Sequence, residues 1–127
     1  MSHPLAGASV GFVKVPVSNF DAARAFYGET LGLKEDYAFP EYGWAQFATG
    51  SVPICLFKPG MGGGSRAPGG ETGIQLRVLD ARAAYEHLGD GASHFGEGDD
   101  GSISFTARDP DGNEIQISQV MTGGVRR

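Results

Sequence analysis

The sequence predicts an α+β fold in which one unit, a strand, a helix and three further strands, occurs twice and curls two sheets around a cleft. Three observations carry this. Shifting the second half back by 61 residues lays Val78 on Val17, Asp80 on Asn19, Ala83-Ala84 on Ala22-Ala23 and Gln116 on Cys55, and a period that long marks a duplicated structural unit. In each half a period-two apolar run gives way to a helical-period run behind a capping residue. Between the halves, Lys58 to Gly70 is too rich in glycine and proline for regular structure and reads as a linker or flap. Each copy alone is too small for a secure core. The pair should therefore fold together as one domain of 127 residues, with repeats at about 9–58 and 72–120 and a linker at 59–71.

Met1 to Ser9 shows no period and reads as a terminal arm. From Val10 onward, Val13, Val15 and Val17 alternate with Phe12, Lys14 and Pro16, as in a strand covered on one face. Pro16 cannot donate to a ladder, which places it near an end, an edge or a bulge. Ser18-Asn19-Phe20-Asp21 reads as a capping box with Ser18 at the cap. The helix it opens runs from about Phe20 to Leu31 and stops at Gly32, with Phe20, Ala23, Phe26, Tyr27 and Leu31 as its inward stripe. Phe26 and Tyr27 are taken as packing residues. Strands are expected at Lys34 to Phe39, Tyr42 to Ala48 and Pro53 to Lys58.

The second unit opens with Gly73 to Val78, where Ile74, Leu76 and Val78 alternate with Gly73, Gln75 and Arg77. Asp80 caps a helix whose stripe is Ala81, Ala84, Tyr85 and Leu88. Gly89 to Gly101 reads as a loop and Ser102 to Ala107 as a strand. In Phe105 to Ile117, Pro110 disfavours helix at Asp109, and Asp111-Gly112-Asn113 tolerates the left-handed region, so the chain reverses in a hairpin. Ile115 and Ile117 then alternate with Glu114, Gln116 and Ser118 in a last strand that runs through Val120, ahead of a frayed tail.

Composition narrows the function. Fifteen acidic against ten basic residues give a net charge of −5, which argues against a nucleic-acid partner and modestly favours cationic ligands, solubility being the plainer reading. No apolar run approaches the ~20 residues of a membrane helix, and no basic-then-apolar leader opens the chain. The single cysteine, Cys55, fits a reducing cytoplasm. The glycine-rich stretch is not a phosphate-binding loop, because no Gly-Lys-Ser or Gly-Lys-Thr follows it. His87 falls in a helix, His94 in a loop and His3 in the arm, without a shared face. Glu97 to Gly101 lacks the alternating spacing of a calcium loop.

Alternation assigns Phe12, Lys14, Pro53, Cys55, Phe57, Gly73, Gln75, Arg77, Glu114, Gln116 and Ser118 to the face turned away from the helices. Aromatic walls with a few polar groups suit a small-molecule pocket. Of these, Phe12, Lys14, Cys55, Phe57, Gln75, Arg77, Glu114 and Gln116 are the candidate ligand-binding residues. Lys14, Arg77 and Glu114 could instead pair with one another to neutralise a narrow interior. The facing of Trp44 and Tyr42 is left open, with core the more usual place for a single aromatic. Cys55 lacks a histidine at a repeat-related position to activate it, so it reads as buried and inert.

Val15 to Leu33, Val-Pro-Val-Ser-Asn-Phe-Asp-Ala-Ala-Arg-Ala-Phe-Tyr-Gly-Glu-Thr-Leu-Gly-Leu, resembles the first helix signature of the vicinal oxygen chelate superfamily. That group includes glyoxalase I, bleomycin-resistance proteins, fosfomycin-resistance enzymes and extradiol dioxygenases. Arg108 to Ile117 resembles its closing hairpin. The resemblance implies paired βαβββ modules, a homodimer and a ligand cleft inside the curved sheets. It also implies that metal ligands, in the family's enzymes, would fall on Phe12, Cys55, Gly73 and Gln116. Phe12 and Gly73 offer no ligating side chain, while soft Cys55 and neutral Gln116 pair poorly around a hard divalent ion. No metal site and no cofactor are therefore expected, a divalent metal being disfavoured.

The expected function is binding of a small antibiotic or metabolite, of the bleomycin-resistance type, with catalysis doubtful. The alternative is a glyoxalase-like metal-dependent lyase or isomerase, or a dioxygenase-related enzyme. Metal-free acid-base chemistry, with Glu114 as base and Lys14 or Arg77 as electrostatic partner, rests on facing alone.

Overall fold

The computed structural model describes residues 3–119. The first unit contains β1 (Val13–Pro16), α1 (Phe20–Ala25), β2 (Lys34–Phe39), β3 (Trp44–Ala48) and β4 (Ile54–Phe57). The second contains β5 (Gly70–Val78), α2 (Ala81–Leu88), β6 (Ala92–Glu97), β7 (Ile103–Arg108) and β8 (Asn113–Gln119). The chain is α+β, with two mixed four-stranded sheets ordered β1-β4-β3-β2 and β5-β8-β7-β6. The sheets do not close into a barrel. The internal period survives in the pairing: Lys14 lies beside Cys55 on the parallel β1–β4 edge, and Gln75 beside Gln116 on the parallel β5–β8 edge. No helix among the described residues is long and apolar enough to cross a membrane.

Alternation decides which face is buried. Val15, Val17, Ala45, Phe47, Ile54 and Leu56 meet Phe20, Ala23 and Tyr27 of the first helix, and Ile103, Phe105, Ala107, Ile115 and Ile117 meet Ala81 of the second, in one apolar cluster. Ile74, Leu76, Val78, Ala84, Tyr85 and Leu88 pack against it less completely. Removing this surface from water is the principal driving force for joining helices to sheets. The first helix continues beyond Ala25 as a π turn, Phe26–Thr30, in which Leu31 N–H donates to the Phe26 carbonyl at 2.8 Å. It ends at Gly32, whose φ of +77° suits a residue without Cβ.

Several local expectations are corrected. The first helix is capped by Asn19, whose side chain accepts from Ala22 N–H at 3.0 Å, and not by Ser18. Ser18 is instead drawn to the far hairpin, where Asp111 accepts its backbone N–H at 3.0 Å and also its hydroxyl. Asp80 caps the second helix as read, accepting from Ala83 N–H at 3.0 Å. The stretch read as a loop at Gly89 to Gly101 contains β6. That strand is an edge, and its pairing slips between Ser93 and Gly96 around His94, at φ +58°, so its alternation is broken. Tyr42 belongs to a 3-10 turn, Pro40–Tyr42, ahead of β3. Gly70 and Glu71, assigned to the linker, already pair with β8. Val120 and the tail lie outside the described residues.

Tyr27 is more than a packing residue. Its hydroxyl donates to Asp109 across the two units at 2.9 Å, and burial together with that carboxylate pushes its pKa upward, so it stays protonated. Asp109 also accepts from Asn113 Nδ2 at 2.8 Å and from the backbone N–H groups of Asp111 and Asn113 at 2.9 Å. Asn113 donates further to the Pro16 carbonyl at 2.8 Å and accepts from Gly69 N–H at 2.8 Å. The closing hairpin thereby pins the end of β1, the first helix and the linker to the second sheet. Gly112 makes the reversal at φ +79°, its N–H donating to the Asp109 carbonyl at 2.9 Å.

Candidate functional site

The faces turned away from the helices differ in chemistry. On the first sheet, pairing places Lys14, Cys55 and Gln46 in one row and Phe57 and Trp44 in the next, with Phe39 beside Trp44 and Tyr37 beside Gln46. Phe12 stands edge-on to Trp44 at 5.5 Å between ring centroids, and Tyr37 meets Phe39 at 5.4 Å. Phe12, Tyr37 and Phe39 remain 44%, 41% and 47% exposed, so rings of both pairs reach the surface. This resolves Trp44: because Ala45 and Phe47 enter the core, Trp44 and Gln46 face the opposite side.

Two of the candidates lie beneath this wall. Cys55 is fully buried, donating weakly to Gln46 Oε1 at 3.6 Å, and Phe57 is 2% exposed. Burial, and secondarily the Asp36 carboxylate, push the Cys55 thiol up to about 11 against a smaller opposing effect of Lys14, so the thiol is protonated at neutral pH. Lys14 reaches over Phe57, 5.2 Å from the ring centroid, and donates to the Gly63 carbonyl at 2.7 Å.

The second sheet presents a polar wall. Gly73, Gln75, Glu114 and Gln116, all singled out from sequence, line one cavity of about 290 Å³ together with Glu71, Ile74 and Thr106. Glu114 does not pair with Lys14 or Arg77. Arg108, on the neighbouring strand, takes it at 3.3 Å and also donates to Ser93 Oγ at 2.9 Å. A larger cavity, about 560 Å³, lies at the seam between the units, lined by Val13, the loop from Thr49 to Val52, Ile54 and β5 from Gly73 to Arg77. It takes in Gln75 and Arg77 but none of the aromatic wall. The candidates thus separate into an aromatic group (Phe12, Lys14, Cys55, Phe57) and a polar group (Gly73, Gln75, Glu114, Gln116), with Arg77 at the seam.

Sequence reasoning missed Gln46, Tyr37, Phe39, Thr106 and Arg108. Thr106 and Arg108 could have been found, since they alternate with buried Phe105 and Ala107. Tyr37 and Phe39 could not, because the register shift between Glu35 and Tyr37 moves their facing.

A search of the curated proteins found no significant match. The model of the Glyoxalase/Bleomycin resistance protein/Dioxygenase superfamily matches residues 9–117, and the chain belongs to that family. Among solved structures it is similar to a member of the same superfamily from Sphaerobacter thermophilus DSM 20745, at 27% identity and a TM-score of 0.74, covering 89% of this chain and 98% of that one. It is also similar to TnmS3, an antibiotic binding protein from Streptomyces sp. CB03234, at 29% identity and a TM-score of 0.71, covering 90% and 97%. A lactoylglutathione lyase from Agrobacterium tumefaciens shares the fold, at 21% identity and a TM-score of 0.72 over 88% and 93%.

The residues do not fit the divalent ion that the family's enzymes hold. Phe12 and Gly73 bring no donor, Cys55 is a buried neutral thiol, and Gln116 brings a neutral amide. Among the described residues no three His, Cys, Asp or Glu side chains gather closely enough to hold a metal. His87 Nε2 instead meets the Thr30 carbonyl at 3.0 Å, and His94 Nδ1 meets Ser93 Oγ at 2.9 Å.

Proposed function

We propose that the protein binds a small molecule, an antibiotic or a metabolite, without metal-assisted catalysis, in the manner of the bleomycin-resistance branch of its family. The observation that carries this reading is the first wall: aromatic rings share one sheet face with a protonated, buried thiol at a position where the family's metal enzymes place a ligand. Rings offer large contact area at low conformational entropy, which suits capture more than turnover. The antibiotic-binding neighbour supports the same reading. The exposed aromatics also favour a homodimer that covers part of the patch, and the lone buried thiol suits a cytoplasmic protein.

A thermal-shift screen against antibiotics and aromatic metabolites tests it. A true ligand at a hundred times its Kd stabilises the native state by roughly 2.7 kcal/mol, which for a domain of this size raises Tm by about 10 °C. The Trp44 emission should change with the same compound. Elemental analysis of protein purified without added metal should find much less than one equivalent of nickel, zinc, iron or manganese. A full equivalent, removed by chelator together with a measurable turnover, overturns the reading in favour of a glyoxalase-like enzyme.

A further inference from the structure

The glycine-rich segment between β4 and β5 lies on the aromatic wall. A Cβ built at Gly63 would fall 2.9 Å from Phe57 Cβ and 3.0 Å from two carbons of the Trp44 ring, and one at Gly64 would fall 3.0 Å from the Phe57 ring. Only bare peptide can approach so closely. The Gly63 carbonyl receives the Lys14 ammonium at 2.7 Å, and Arg66 Nη2 donates to the Lys14 carbonyl at 3.2 Å. Within the segment, Gly60 N–H donates to the Gly64 carbonyl at 2.8 Å. Its ends are held, Lys58 N–H donating to the Gly43 carbonyl at 2.9 Å and Gly69 N–H to Asn113 Oδ1 at 2.8 Å, whereas between them Met61 is 42% exposed and no apolar side chain from Met61 to Arg66 enters the core. A glycine-rich stretch without buried side chains can open between such fixed ends as a local unit, at less cost than unfolding the core.

We propose that residues 60–66 occupy the aromatic wall as an internal stand-in for the ligand, which is therefore an amide- or acyl-bearing molecule whose carbonyl oxygen replaces that of Gly63 on Lys14. The inference rests on the binding reading above and names its ligand class. A methyl group at Gly63 would collide with both Trp44 and Phe57, so bare peptide lies directly on the two rings. The ammonium at its mouth selects an acceptor oxygen and repels a cation, reversing the preference that net charge alone suggests. Lifting the segment uncovers Phe57 and leaves Lys14 without its carbonyl, and an acyl-bearing ring restores both contacts. Gly63 is then the position that sets access.

Trp44 is the only tryptophan, so acrylamide quenching reads the segment directly. Gly63→Ala should displace it and raise the quenching constant at least twofold; Lys14→Met, which removes the anchor without adding bulk, should do the same, with circular dichroism confirming the fold of each. Hippurate, a benzoyl amide, should bind Gly63→Ala at least tenfold more tightly than wild type. Its isostere without the amide, 4-phenylbutyrate, should bind that variant at least tenfold more weakly than hippurate, and Lys14→Met should abolish the preference. Unchanged quenching in both variants overturns the proposal. A hit from the thermal-shift screen that binds wild type and Gly63→Ala equally overturns it while the binding reading stands. Raised quenching with no ligand for any variant, in hippurate titrations or in the screen, removes the binding reading and the ligand class together.

Discussion

Cys55 shows how one side chain's surroundings limit its chemistry. The thiol sits beneath the aromatic wall with its pKa pushed up to about 11, whereas in the unfolded chain it ionises near its ordinary value of about 8.5. Between those values the unfolded state has lost a proton that the folded state keeps. Stability from this group is thus complete below the lower pKa and is lost as pH rises towards 11. Comparing Tm for wild type and Cys55→Ala from pH 8 to 11 should show the wild type falling faster. Native protein at pH 7 should react with maleimide roughly a hundredfold more slowly than unfolded protein. Asp109 is the other decisive residue, since it is 5% exposed and accepts from four donors. Asp109→Ala strands those donors and should destabilise by about 3 kcal/mol or more in urea titrations, against about 2 kcal/mol for Tyr27→Phe, which removes a single bond.

At the scale of elements, the helix starts were legible but their caps only in part. Ser18 and Asn19 are both good capping residues, and local sequence cannot choose between them. The choice is made by Asp111, which engages Ser18 from the other unit. Asn19→Ala should therefore cost about 1 kcal/mol as a helix cap. Ser18→Ala should show its loss mainly through coupling to Asp111, read as non-additivity in a double-mutant cycle with Asp111→Ala. The strand β6 was illegible for a different reason. Its packing rests on Phe95, 4.7 Å from Tyr85, while Gly96 and the bulge at His94 erase the period. An edge strand of this kind is specified by its neighbour more than by its own pattern.

For the molecule as a whole, the two units are joined through buried polar groups that neither can satisfy alone. The network from Tyr27 and Pro16 to Asp109 and Asn113 crosses the unit boundary, so loss of one unit exposes unpaired donors in the other. Urea unfolding should accordingly be a single transition. Trp44 emission reports the first unit and far-ultraviolet circular dichroism reports both, and the two curves should coincide; separated midpoints would show that the units unfold independently.

What the sequence determined by itself was the duplication of a strand-and-helix unit, the core side of β1, β4, β5, β7 and β8, the reversal at Asp109 to Asn113, and the absence of a ligating side chain at Phe12 and Gly73. These follow from periodicity, from backbone preferences and from residue identity, all of them local properties. Only the tertiary structure decided that Trp44 joins the wall with Phe12, that Glu114 is taken by Arg108, and that the glycine-rich segment lies over Phe57 with Lys14 on its carbonyl. Each of those is a contact between residues far apart in the chain. Such contacts depend on register and on the competition among possible partners, and neither is written in any single stretch.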